Sequence, residues 1–152
     1  QLPEDYFLAI LGDSVSLPDV KEKVRSMDLE HRVHFVSHAN NKLQWLQALD
    51  LFIHPASPKT AVPLTMLQAM ACEVPVVSTK TKTVSEVISD GETGLLVPPD
   101  DSKALTVAIE TLFSNSKLYR HLAIQGYHYA RENFDLAIML DSTESLYEEI
   151  FD

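Results

Sequence analysis

Short apolar runs alternate with amphipathic stretches over the first hundred residues, and the rest of the chain is amphipathic throughout. Apolar runs of about four to eight residues, bounded by polar turns, are typical of buried parallel strands, whereas apolar positions three and four apart indicate helices. This alternation predicts an α/β fold, a doubly wound parallel sheet with helices on both faces. The predicted strands are 6–11, 33–36, 51–53, 75–77 and 95–97, and the predicted helices are 18–29, 42–49, 63–72, 84–88, 102–113, 117–133 and 136–151.

Charge and cysteine content narrow the classes of function. The net charge is −10, with 12 Lys and Arg against 22 Asp and Glu, which argues against nucleic-acid binding because duplex binding needs clustered cations. The single cysteine, Cys72, can form no internal disulfide, and we expect it to be a small core residue. No run approaches the ~18 apolar residues of a membrane span, and no signal segment opens the chain. These features predict a cytoplasmic protein without a transmembrane segment.

The segment 54–77, HPASPKTAVPLTMLQAMACEVPVV, carries the most information about chemistry. It predicts a strand end, a polar loop, an apolar helix and a second buried strand. A helix that begins beyond the carboxyl end of a strand turns its free N–H groups and positive dipole end toward a ligand crevice. The expected ligand is therefore an anion, most simply a phosphate. Gln68 lies within reach of that ligand. Its amide is expected to bond either to local backbone or a neighbouring loop, or to a ligand hydroxyl. His54 is expected to bond a neighbouring backbone group.

Several catalytic signatures are absent from the sequence. It contains no GxSxG, HExxH, CxxC or GxxxxGK[ST] motif, and the first strand ends in Gly12-Asp13-Ser14 instead of GxGxxG. Dinucleotide binding through that fingerprint is therefore not expected.

A second motif, SEVISDGETGLLVPPDD, occupies residues 85–101. Together with the segment 54–77, it resembles the donor-binding half of the group 1 retaining glycosyltransferases of GT-B fold. The corresponding family pattern runs approximately PSxxEGFGxxxLEAMAxGxPVV, then ExxxDGxxGxLxxPxD. ARENF at 130–134 and LYEEI at 146–150 are similar to the family's closing helices. The resemblance implies that residues 1–152 form a single Rossmann-like C-terminal domain, truncated at its N-terminus. It would lack its first strand and helix and close with the helices over 101–151.

The resemblance also implies roles for individual residues. Thr60 stands where the family has the first glutamate of its E-x7-E motif, beside the donor sugar, and Gln68 stands where the second glutamate accepts bonds from the ribose. The loop and helix start at 61–65 would hold the diphosphate through backbone amides. The implied nucleotide-sugar contacts are Gly12, Asp13, Ser37, His38, Val62, Leu64, Thr65, Gln68 and Lys82.

The chain departs from the family pattern at the residues that carry charge. Both motif glutamates are replaced, and a neutral amide is a weaker acceptor than a carboxylate. Pro63 replaces a glycine and removes one N–H from the phosphate cradle. Lys82-Thr83 replaces the family's GG loop. Lys80 and Lys82 either compensate in part for a basic pair that this chain lacks or are simply solvated.

The resemblance implies the donor-binding half of a glycosyltransferase of polysaccharide biosynthesis that transfers a sugar to a glycan or lipid-linked acceptor with retention. The donor would be a UDP- or GDP-linked sugar, with no metal or other cofactor, and this portion alone would be inactive. An N-terminal Rossmann-like domain would supply the acceptor side and any peripheral contact with the membrane. The alternative is a non-catalytic, glycosyltransferase-like binding or partner subunit. A third is another nucleotide-binding doubly wound domain, such as an epimerase.

Overall fold

The computed structural model describes residues 3–11, 17–36, 42–55, 57 and 61–151. All strand pairings within it are parallel, which confirms the expected α/β architecture. The strands are β1 (Leu8–Leu11), β2 (Val33–Val36), β3 (Phe52–His54), β4 (Val76–Thr79) and β5 (Leu95–Val97). The helices are α1 (Leu17–Ser26), α2 (Lys42–Gln47), α3 (Leu64–Ala71), α4 (Ser102–Ser114), α5 (Ser116–Phe134) and α6 (Leu136–Phe151).

The chain divides into two compact units, residues 1–45 and 46–152. The strands pair in two sheets, β1-β2 and β3-β4-β5. In the first unit, β1 and β2 lie in register with Leu8 opposite Val33. Arg32 donates from Nε to the Tyr6 carbonyl at 3.0 Å and also bonds the Pro3 carbonyl. The guanidinium therefore fixes the segment that leads into β1.

The second unit is built around the central strand β4, whose four residues are all buried. Successive side chains of a strand point to opposite faces. Val76 accordingly belongs to one core cluster with Met66 and Met70, and Val77 belongs to another with Leu112 and Leu122. Helix α3 covers one face of the sheet and α4 covers the other, so this unit has the expected doubly wound packing.

The turn between the 3-10 segment Val84–Glu86 and β5 is held by its own side chains. Asp90 accepts a bond from the Leu96 amide, and Thr93 Oγ1 accepts one from the Ser89 amide, both at 2.9 Å. Gly91 has φ of 79°, in the left-handed region that glycine tolerates best. The DGETG motif is therefore explained by local structure.

Capping side chains set the starts of α4 and α5. Asp101 accepts from the Ala104 amide at 2.9 Å, and Asn115 accepts from the Leu118 amide at 3.1 Å. No residue of α6 is buried.

Two sequence expectations need adjustment. Cys72 lies at the C-cap of α3 and is half-buried, so the prediction of a core residue is wrong: the position lies at the end of the helix, between the exposed residues Ala71 and Glu73. The predicted helix at 84–88 is a shorter 3-10 turn over Val84–Glu86.

Among the described residues, no helix combines the length and apolar character needed to cross a bilayer.

Candidate functional site

The carboxyl ends of β3, β4 and β5 share one edge of the three-stranded sheet, because these strands are parallel. Helix α3 follows β3 and therefore starts at the same edge. Ligands of open α/β sheets bind beyond this edge, so the start of α3 is the first place to look for a site.

The first turn of α3 offers unpaired backbone donors. The N-cap residue Pro63 has φ −76° and ψ 138° and supplies no side-chain cap. Its carbonyl accepts the Met66 amide at 2.9 Å. Among the described residues, nothing accepts from the amides of Leu64 and Thr65. The first turn carries no acidic residue, and the Leu64 side chain is 67% exposed. These two donors at the positive end of the helix dipole form an anion-binding arrangement.

Gln68 lies one turn further along α3, about 6 Å along the axis from Leu64. Its side chain is half-buried, and within the described part of the chain its amide has no hydrogen-bond partner. The expected bond to local backbone is therefore not observed, and neither is one to a described part of a neighbouring loop. The amide is available to a ligand held at the helix start.

The other described candidates have different surroundings. Val62 is partly buried against the Met66–Met70 cluster, so its side chain anchors the chain before α3. Thr65 is half-buried. Lys80 and Lys82 are exposed beyond the end of β4, and neither forms an ion pair with any residue that the structure describes. No described carboxylate therefore pairs with either lysine at this edge of the sheet.

Hydroxyl groups organise the backbone around Lys82. Thr81 Oγ1 accepts the Val84 amide at 3.2 Å and lies 3.2 Å from Thr83 Oγ1. Tyr129 of α5 donates to the Glu86 carbonyl at 3.4 Å. No sequence pattern indicates this last contact, because it joins residues 43 positions apart.

His54 ends β3 at the same edge. Its carbonyl accepts a bond from Ser78 Oγ at 2.9 Å, but its ring Nε2 is buried without a hydrogen-bond partner. Burial lowers the pKa of the His54 ring, because a buried imidazolium loses hydration. The expected bond from the ring to a backbone group is thus not observed, and the backbone of His54 makes the contact instead.

Five predicted site residues fall outside the described part of the chain: Gly12, Asp13, Ser37, His38 and Thr60. Their assignments stay predictions. Two clefts among the described residues lie away from this edge, one of about 290 Å³ between α1 and β2 and one of about 490 Å³ along the first turns of α5. Within the described ranges, no three His, Cys, Asp or Glu side chains converge in a way that would hold a metal ion.

Comparisons with known proteins point to one family. The family model described as Glycosyl transferases group 1 matches residues 1–115. Over 134 residues, 87% of the chain, the sequence is 32% identical to the lipopolysaccharide core biosynthesis mannosyltransferase LpsB of Rhizobium meliloti, and the match covers 38% of that protein.

Solved structures have the same fold. Anabaena Alr3699/HepE, crystallised with UDP-glucose, superposes with a TM-score of 0.88 at 24% identity, over 96% of this chain and 42% of that one. The C-terminal domain of the group 1 glycosyl transferase LpcC of Francisella tularensis gives a TM-score of 0.74 at 30% identity, over 87% of this chain and 71% of that one. The chain thus spans about two fifths of the length of LpsB and of HepE.

Proposed function

Because this chain belongs to the group 1 glycosyl transferases, we propose that it is the nucleotide-sugar donor-binding half of an enzyme that transfers a sugar to a glycan or lipid-linked acceptor. The observation that carries this proposal is the pair of unpaired amides at Leu64 and Thr65, at the carboxyl edge of the sheet. The UDP-glucose complex of HepE and the lipopolysaccharide role of LpsB support the donor and acceptor classes.

The proposed chemistry places the donor diphosphate at the start of α3. Charge builds on the diphosphate as the bond from the sugar to its leaving oxygen breaks, and fixed N–H donors stabilise that charge. The Leu64 and Thr65 amides would supply these donors, and the free charge of Lys82 would add to them. Gln68 would bond a ribose hydroxyl through its amide. The transfer would retain the anomeric configuration and use no metal.

Strand order supports the proposal that a first strand and helix lie outside these 152 residues. A doubly wound sheet has the order 3-2-1-4-5-6, so without strand 1 it consists of one pair and one trio of strands. The described residues form one pair, β1-β2, and one trio, β3-β4-β5. We infer that another domain of a longer protein supplies the acceptor side, and that this portion alone is inactive. A cytoplasmic location, with membrane contact through that domain, stays a prediction.

A second function is favoured by one specific observation. Thr60 and Gln68 replace the two carboxylates of the family motif, so neither position supplies negative charge beside the donor. A protein with these substitutions fits a non-catalytic module that binds a nucleotide sugar or a partner subunit. The two functions differ in whether the full-length protein turns over a donor that it binds.

Calorimetric titration of UDP, GDP and ADP, and of their glucose or mannose conjugates, tests the proposal. We expect one nucleotide to bind with micromolar affinity and its sugar conjugate to bind at least as well. Failure of every nucleotide to bind would remove the donor-site assignment. Binding without sugar transfer by the full-length protein would favour the non-catalytic module.

Substitutions at Gln68 test the ribose contact within the same experiment. Gln68→Ala deletes a neutral hydrogen bond and should weaken binding by about 1 kcal/mol, or roughly fivefold. Gln68→Glu offers a stronger acceptor of similar shape. This variant should bind the ribonucleotide at least as tightly as the wild type does. Equal affinities for all three proteins would show that residue 68 does not contact the ligand.

A further inference from the structure

Residues 80–86, the β4 turn, follow β4, and hydrogen bonds fix the entry of this turn. The Lys80 amide donates to the Val97 carbonyl at 2.7 Å, so the chain leaves the sheet beside the end of β5. Thr81 then closes the turn, because its Oγ1 accepts the Val84 amide at 3.2 Å. Thr81 is only 7% exposed, and a hydrogen bond shielded from water is stronger than an exposed one. The entry of the β4 turn is therefore held firmly.

Helix α5 holds the exit of the β4 turn. The hydroxyl of Tyr129 donates to the Glu86 carbonyl at 3.4 Å. The ring of Tyr129 packs against the core cluster that contains Met66 of α3 and Val84 of the β4 turn. One side chain therefore bonds the turn through its hydroxyl and packs on the core that the turn shares with α3.

The β4 turn carries Lys82 at the edge of the sheet where α3 begins. Lys82 is exposed, whereas Thr81 before it and Val84 after it are buried. Strands β3 and β4 are parallel neighbours, so this edge also carries the free amides of Leu64 and Thr65. Donors on two separate elements act best on one anion when their separation is fixed before binding, since ordering a loop on binding costs affinity.

We propose that Tyr129 and Thr81 are positioning residues for Lys82. This inference rests on the proposed donor site and adds two residues to it. The two hydroxyls hold the β4 turn in the conformation that lets the Lys82 ammonium act together with the α3 amides on one diphosphate. Neither hydroxyl needs to touch the donor, because each acts through the backbone of the turn. Their removal should therefore weaken binding only while Lys82 is present.

Calorimetric titration of UDP, GDP and ADP into the full-length protein tests the inference through a double-mutant cycle. Tyr129→Phe deletes the hydroxyl and keeps the ring, so the core packing should remain. We expect this variant to bind the nucleotide about threefold or more weakly than the wild type, as the loss of a neutral hydrogen bond predicts. In a Lys82→Ala background, Tyr129→Phe should change the dissociation constant by less than about 1.5-fold.

Tyr127→Phe is the matched control. It deletes another hydroxyl of α5, one that accepts from Arg131 at 2.8 Å, and it should leave the affinity within about 1.5-fold of the wild type. Thr81→Val removes the hydroxyl at the entry of the turn with little change of size and should reproduce the loss that depends on Lys82. Thr81→Ser keeps the hydroxyl and should bind like the wild type. Thermal denaturation followed by circular dichroism checks that each variant is folded.

Failure of every nucleotide to bind the wild type would overturn the donor-site assignment and this inference with it. A wild type that binds a nucleotide no more tightly than Tyr129→Phe and Thr81→Val do would overturn this inference alone. A loss of the same size with and without Lys82 would also overturn it, and so would an equal loss in Tyr127→Phe. In both cases the hydroxyls would act on the fold in general and not through Lys82.

Discussion

Within the described ranges, three acidic residues occupy backbone conformations that suit glycine better. Asp28, Glu73 and Asp100 have φ of 54°, 58° and 54°. A side chain in this region is strained by contact between Cβ and the backbone. Glu73 follows the C-cap of α3, where helices commonly end with glycine, and the family pattern has glycine at this position. The strain at Glu73 is thus a local feature that a single substitution relieves.

Replacing Glu73 by glycine should stabilise the fold by about 0.5–1 kcal/mol, because the left-handed conformation then carries no Cβ strain. Urea denaturation of the wild type and the variant measures this change. Glu73→Gln removes the charge but keeps the Cβ, so it should leave stability nearly unchanged. Equal stabilisation by glycine and glutamine would mean that charge, and not backbone strain, limits stability here.

The partly buried ring of His54 should make the stability of the fold depend on pH. Its pKa in the folded state lies below the ordinary value of 6.5 because the ring is partly buried. Below pH 6.5 the unfolded chain therefore binds more protons than the folded protein, and stability falls as the pH falls through this range. His54→Phe should flatten the decline of the denaturation midpoint between about pH 6.5 and 5. His121→Gln, at an exposed ring that bonds Glu92, should leave the decline in place.

At the scale of elements, α5 lies close to the turn before β5 because it carries Gly126. A Cβ at this position would lie 3.1 Å from the Thr93 carbonyl oxygen and 3.8 Å from Met70. Met70 belongs to α3, so this one position controls the approach of α5 to both the turn and the helix of the candidate site. The periodicity of α5 predicted its extent but not this contact.

Gly126→Leu should destabilise the fold by about 2 kcal/mol or more, since a branched side chain would have to displace backbone and a packed methionine. Gln125→Leu, at the exposed neighbouring position, should change stability by no more than about 0.5 kcal/mol. Thermal denaturation of both variants provides the comparison. Similar stabilities for the two would show that α5 can shift away from the turn at little cost.

For the whole molecule, the sequence predicted what depends on local periodicity. The parallel strands and the helices α3 to α6 lie within a few residues of their predicted bounds, because buried runs and heptad-like spacing leave few alternatives. The side-chain contacts around the candidate site could not be predicted from the sequence. That Gln68 lacks a local partner, that His54 Nε2 is unpaired, and that Tyr129 bonds Glu86 all depend on long-range packing. The division into two sheets depends on strand pairing, which hydrophobic pattern does not specify.

The account depends most on the free amide of Leu64, and one pair of variants isolates it. Pro63 already has the extended conformation that a residue before proline needs, and proline is favoured at the first helical position. Leu64→Pro therefore deletes one N–H without disturbing α3, whereas Leu64→Ala removes the exposed side chain and keeps the N–H. Titration with the bound nucleoside diphosphate should give a dissociation constant about tenfold higher for Leu64→Pro than for Leu64→Ala. Equal dissociation constants would contradict the account.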